Sequence, residues 1–112
     1  TMSLSQQACI PCKGGVPPLT PIEAEAFRRQ IPDWQLIHDA TKLNHTFKSG
    51  DFASALAFVN AVGALAEAED HHPDISFGWG YCEITIYTHK IKGLHENDFV
   101  LAAKISDLPA AG

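Results

Sequence analysis

The segment Glu67-Ala68-Glu69-Asp70-His71-His72-Pro73, followed by Trp79, His89 and Asp98, gathers three imidazoles and several carboxylates around one helix-to-strand junction. Imidazole is the side chain whose ordinary pKa lets it both give and take protons near neutrality, so such a cluster can run acid and base steps. Proton transfer is the chemistry these residue types point to. Taken singly, a histidine in a last helical turn or an aspartate in a first turn only complements the helix dipole. A zinc site is the other reading, because His71, His72, His89 and a carboxylate could supply four ligands. Adjacent histidines seldom share one ion from a helix end, and no H-x-x-x-H helical pair is present, so no metal is expected.

These groups need elements that bring them together. Thr20-Pro21-Ile22-Glu23 has the shape of a capping box with proline at the first helical position, and predicts a helix to about Ile31, where Pro32 stops it. Alternation from Trp34 to His38 and from Leu43 to Phe47, around Asp39-Ala40-Thr41-Lys42, predicts a first hairpin. Asp51 to about Asp70 is the clearest helix. Phe52, Leu56, Val59 and Gly63 form one apolar row and Ala55, Phe58, Val62 and Leu65 its neighbour, a face broad enough to lie on a sheet.

Pro73 ends that helix, and Asp74–Trp79 with Tyr81–His89 predict a second hairpin around Gly80. In its last strand Cys82, Ile84 and Ile86 share one face, while Tyr81, Glu83, Thr85, Tyr87 and His89 share the other. A last helix is expected from about Glu96, carrying Phe99, Val100 and Ala103 inward. The order predicts an α+β fold: a four-stranded antiparallel sheet, made of two β-hairpins separated by a long helix, with three helices packed on one face. The start of the third strand and the end of the fourth then lie at one sheet edge, where His71, His72, His89 and Asp98 can meet.

The chain has 112 residues, 46% of them hydrophobic, which fits one domain with its own core and leaves no room for a second. Residues 1–19 read as an irregular leader ending in Gly14-Gly15-Val16-Pro17-Pro18, residues 20–107 as the domain, and 108–112 as a tail. Thr1, ahead of Met2, reads as a cloning remnant. A formal net charge of -5 and the lack of any long Lys/Arg run disfavour nucleic acid or an anionic membrane as direct partners. No apolar stretch approaches the roughly 20 residues that span a bilayer, and no secretory signal pattern opens the chain, so the cytoplasm is the expected location. Cys9, Cys12 and Cys82 are too few and too uneven for a disulfide framework. Cys9-x-x-Cys12 lacks a second Cys/His pair at zinc-ribbon spacing, and reduced thiols are expected.

The pattern Glu67-x-x-x-His71-His72-Pro73, five residues, Trp79, nine residues, His89, eight residues, Asp98 resembles the signature of the pterin-4a-carbinolamine dehydratases. The similarity runs from about Thr20 to Lys104. Ile31-Pro32-Asp33-Trp34 and Thr88-His89-Lys90-Ile91-Lys92-Gly93-Leu94 resemble the bacterial branch of that family. Two positions depart: Ile75 replaces an aromatic residue of animal members, and His95 stands where Ser or Thr often caps the last helix.

The resemblance implies an enzyme, a hydro-lyase that dehydrates 4a-hydroxytetrahydrobiopterin or a related 4a-hydroxytetrahydropterin to quinonoid dihydropterin, without cofactor. It would recycle pterin for an aromatic amino-acid hydroxylase. His71 and His89 would form the acid/base pair, His72 would hold substrate, and Asp98 would orient His89, with Glu67 or Asp70 serving His71. Backbone groups at Asp70–His72 and Tyr87–Lys90, with Glu67, Asp70, Pro73, Tyr87, Thr88 and Lys90 as the binding set, would hold the flat ring. The family also implies a homodimer or homotetramer. Its animal members serve as dimerisation cofactors for a homeodomain transcription factor, so a non-catalytic interaction module is the alternative, as is a handler of a related pterin cofactor.

Overall fold

The computed structural model describes residues 4–6 and 17–108. Among these, a 3₁₀ turn at Leu4–Gln6 precedes α1 (Pro21–Arg28), β1 (Gln35–Ile37), β2 (Lys42–Lys48), α2 (Phe52–Glu69), β3 (Asp74–Gly78) and β4 (Tyr81–Ile86). A 3₁₀ turn at His89–Ile91 leads to α3 (Glu96–Ser106). The strands form one antiparallel sheet in the order β1-β2-β4-β3, and the three helices lie on one face, as the α+β reading expects. The Cys9-x-x-Cys12 pair lies outside the described residues.

Local chemistry sets the helix ends. Thr20 Oγ1 accepts from the Glu23 N–H at 3.3 Å while Glu23 Oε1 accepts from the Thr20 N–H at 2.9 Å, so the capping box opens α1. Asp51 accepts from the Ser54 N–H at 2.8 Å and opens α2, and that bond holds the Asp51 carboxyl below its ordinary pKa. α2 closes on Asp70, which takes the left-handed conformation at φ 52°.

α2 divides its apolar residues between two directions. Ala55, Phe58, Val62 and Ala66 are buried, whereas Phe52 and Leu56 remain 47% and 41% exposed. Its 18 residues are long and apolar enough by length and composition to cross a bilayer, which corrects the expectation that no such stretch exists. Here one side of the helix packs on β3 and β4 instead.

Pairing of Phe47 with Cys82, His45 with Ile84 and Leu43 with Ile86 puts these side chains on the helix-covered face. Asn44, Glu83 and Thr85 take the open face, where the Asn44 amide donates to Glu83 Oε2 and Thr85 Oγ1. Trp34 is fully buried and its indole N–H donates to Ser106 Oγ at 2.8 Å, tying the start of the first hairpin to the end of α3. His45 packs its ring against Trp34 and Phe47, and burial lowers its pKa against a smaller opposing effect of Asp33. Burial likewise raises the Cys82 thiol pKa, as expected for an unreactive core cysteine.

Two elements differ from the alternation pattern. The first hairpin turns through His38, Asp39 and Ala40, all left-handed with φ of 52°, 57° and 62°, conformations that disfavour side chains by about 1–2 kcal/mol each. The fourth strand, expected to run to His89, ends at Ile86. Thr88 instead pairs with Gly93 in an isolated antiparallel bridge, which folds the chain back and places His89 in a 3₁₀ turn.

Candidate active site

The site lies at the sheet end where β3 begins and β4 finishes. Asp74 pairs with Thr85 there, and Leu43 of β2 pairs with Ile86. Trp79 stands in the turn at the opposite end of the same hairpin, 72% exposed, so it marks the motif without joining the histidines.

Asp98 is the centre of the arrangement. It occupies the third position of α3, is fully buried, and has three donors around its two oxygens. Oδ1 meets His71 Nε2 at 2.6 Å. Oδ2 accepts from Thr88 Oγ1 at 2.8 Å and from the His95 N–H at 2.8 Å. A buried carboxylate with this many donors is satisfied as an anion. The His95 bond is half of a capping box; the His95 ring does not complete the other half, and its Nδ1 is buried without a hydrogen-bond partner.

His71 is thus the imidazole that Asp98 orients, where the sequence pattern assigned Asp98 to His89. The left-handed Asp70 turns His71 and not His72 inward, at 13% against 54% side-chain exposure, while the 3₁₀ turn leaves His89 exposed. His72 Nε2 bonds Glu67 Oε2 one turn back on α2, so Glu67 serves His72 and not His71. Asp70 itself is exposed and acts as the helix cap. Pro73, half-buried, separates this turn from β3.

His89 and Lys90 are exposed on the 3₁₀ turn. The His89 ring lies 4.1 Å from the Tyr87 ring, centroid to centroid, and Lys42 Nζ stands 4.6 Å over the same tyrosine. Several backbone amides expected to meet a ligand are taken within the chain. The His71 N–H bonds Ala66 O at 3.1 Å, the Asp70 N–H bonds Glu67 O at 3.3 Å and the Thr88 N–H bonds Gly93 O at 2.9 Å. From the other side, the Leu19 N–H bonds Leu94 O at 2.8 Å, and a side chain at Gly93 would come within 2.6 Å of Pro18.

The structure therefore joins His71, Asp98, Thr88 and His95 directly, holds His89 one residue beyond Thr88, and sets His72 with Glu67 at the rim. Lys42 was missed by sequence reasoning, and Thr88, expected to bind substrate, gives its hydroxyl to Asp98 instead. Lys42 meets Tyr87 only across a strand pairing, and a threonine before a motif histidine carries no spacing signal. Among the described residues no group of three His, Cys, Asp or Glu side chains could hold a metal ion, so the zinc-ligand set of His71, His72 and His89 is not assembled.

Comparison with known proteins places this geometry. The family model described as pterin 4 alpha carbinolamine dehydratase matches residues 17–108. A Methylococcus capsulatus protein named "Putative pterin-4-alpha-carbinolamine dehydratase" is 55% identical over 108 residues, covering 96% of this chain and 95% of its own. A Halorhodospira halophila protein of the same name is 54% identical over 109 residues, covering 97% and 100%. A solved transcriptional coactivator/pterin dehydratase from Brucella melitensis superposes with TM-score 0.74 at 29% identity, covering 80% of this chain and 95% of that one. A pterin dehydratase-like RuBisCO assembly factor of the alpha-carboxysome superposes with TM-score 0.57 at 30% identity, covering 65% and 84%. With a family match across most of its length and relatives above half identity, the chain belongs to the pterin-4a-carbinolamine dehydratase family.

Proposed function

We propose that the protein dehydrates a 4a-hydroxytetrahydropterin, such as 4a-hydroxytetrahydrobiopterin, to quinonoid dihydropterin by histidine acid/base catalysis without metal or organic cofactor. The observation that carries this reading is the 2.6 Å contact between His71 Nε2 and the buried Asp98. An ionised carboxylate only accepts, so the neutral His71 ring carries its proton on Nε2 and leaves the Nδ1 lone pair for a substrate proton. Asp98 then stabilises the imidazolium that forms.

The reaction needs two proton transfers. His89, exposed and set at a tilt against the Tyr87 ring, is assigned to protonate the hydroxyl on C4a so that the C–O bond breaks and water leaves. The lone pair of the adjacent ring nitrogen forms the C=N bond, and that nitrogen's proton passes to His71. Solvent returns His89 and His71 to their starting states. His72, with Nε2 held by Glu67, offers Nδ1 to a ring N–H of the substrate and so serves binding. Tyr87, Lys90, Asp70 and Pro73 shape the walls on the two sides of the ring.

Freshly generated 4a-hydroxytetrahydropterin should lose water faster with protein than without it, followed by ultraviolet absorbance. Replacement His89→Ala should remove about 10²-fold or more of that acceleration, the range for a general acid or base; full turnover would remove His89 from the mechanism. Recycling pterin for an aromatic amino-acid hydroxylase, in the cytoplasm, is the role this activity would serve.

A second reading has its own observation. The exposed Phe52 and Leu56 on α2 and the unpaired edge of β3 suit self-association as a homodimer or homotetramer, or docking of another protein. The relatives named as a coactivator and as an assembly factor fit that use. No acceleration of dehydration by the protein would favour it.

A further inference from the structure

We infer that Thr88 is a positioning residue for the reaction, acting through its side-chain hydroxyl on Asp98 and through its backbone on His89. The inference rests on the dehydratase reading and assigns Thr88 a role other than substrate contact.

Thr88 is 4% exposed, and its single hydroxyl proton is directed at Asp98 Oδ2 across 2.8 Å. A side chain so placed has no donor left for a ligand. The bond fixes the plane of the carboxylate, and with the His95 N–H it occupies Oδ2, so that Oδ1 is the oxygen left to hold His71 Nε2. Removing one of these donors leaves a fully buried anion under-satisfied and free to rotate.

The backbone of the same residue closes the turn that carries His89. The Thr88 N–H bonds Gly93 O at 2.9 Å, and Thr88 O accepts from Ile91 at 3.3 Å and from Gly93 at 3.5 Å. Thr88, the covalent neighbour of His89, therefore ties the turn that carries that imidazole to the carboxylate that holds His71. A reaction that delivers one proton and removes another from the same small ring depends on that separation staying fixed.

The test compares Thr88→Val, which keeps the shape and removes the hydroxyl, with Thr88→Ser, which keeps the hydroxyl. Thr88→Val should lower kcat by about 10- to 100-fold, the equivalent of one hydrogen bond to a charged group, while KM changes by less than about threefold. Thr88→Ser should restore turnover to within about threefold of the parent, which a merely space-filling threonine would not require. Unchanged kcat in Thr88→Val, a loss confined to KM, or equal impairment in Thr88→Ser would each overturn the proposal. Should Thr88→Val fail to fold, the parent protein still decides: its NMR spectrum should show a slowly exchanging Thr88 hydroxyl proton, and absence of that proton overturns the assignment. An inactive parent protein would instead sink the dehydratase reading, and the hydroxyl proton would be observed or not independently of it.

Discussion

His71 and His72 are neighbours in the chain, and each gives Nε2 to a carboxylate, yet the two pairs belong to different environments. The His71 partner is fully buried with three donors, while Glu67, the partner of His72, is 78% exposed on its side chain. An exposed ion pair is weakened by water and salt, whereas a buried carboxylate must be matched by donors or the fold suffers. The same chemical pair thus stands in two settings; in the proposed reaction the first would orient a proton acceptor and the second would tether a ligand-facing ring.

The contrast can be broken most severely at Asp98. Asp98→Ala leaves three donors facing a cavity and should destabilise the protein by on the order of 3 kcal/mol in denaturant unfolding. Asp98→Asn keeps an acceptor but loses the charge, and should lower kcat by about 10²- to 10³-fold with a smaller change in unfolding midpoint. A mild effect of both would remove the distinction between the pairs. His72→Ala comes next, expected to raise KM by about tenfold while kcat falls less, as for a group that binds ground state and transition state alike. Glu67→Gln should be milder still, with stability within about 0.5 kcal/mol of the parent because the pair is at the surface. An effect as large as that of Asp98→Asn would show that exposure does not divide them.

His45 sharpens the comparison from a third side, being half-buried among rings with no carboxylate bonded to it among the described residues. Burial depresses its folded pKa below the unfolded value, so the folded state takes up its proton less readily. The associated stability is complete above the unfolded pKa of about 6.5 and is lost as pH falls through the folded value. His45→Phe should accordingly flatten the acid side of the melting-temperature profile just below pH 6.5, the smallest of these effects. An unchanged profile would show that His45 does not titrate differently on folding.

Much of the scaffold was legible because its signals are local. Thr20 and Glu23 announce the α1 cap, Asp51 and Asp70 bracket α2, and the alternation of Cys82, Ile84 and Ile86 fixes which face of β4 is buried. The motif spacing also named the imidazoles that gather at one sheet end. Pairing within the site was less legible. Asp98 meets His71 and not His89 because the left-handed Asp70 turns His71 inward while the 3₁₀ turn leaves His89 exposed, two local turns that the motif spacing does not encode. The fourth strand stops early because a bridge to Gly93, five residues on, outcompetes continued alternation. The left-handed run His38-Asp39-Ala40 contains no glycine to betray it.

Pro18 gives the active end a rear wall. With Gly93 seated against this proline and Leu19 hydrogen-bonded to Leu94, two residues ahead of the first helix form the backstop for the loop that presents His89. Pro18→Gly would preserve every helix and strand yet loosen that loop. Such a variant should keep its circular-dichroism spectrum while turnover falls, which makes this inconspicuous stretch a support for the chemistry as well as an edge of the domain.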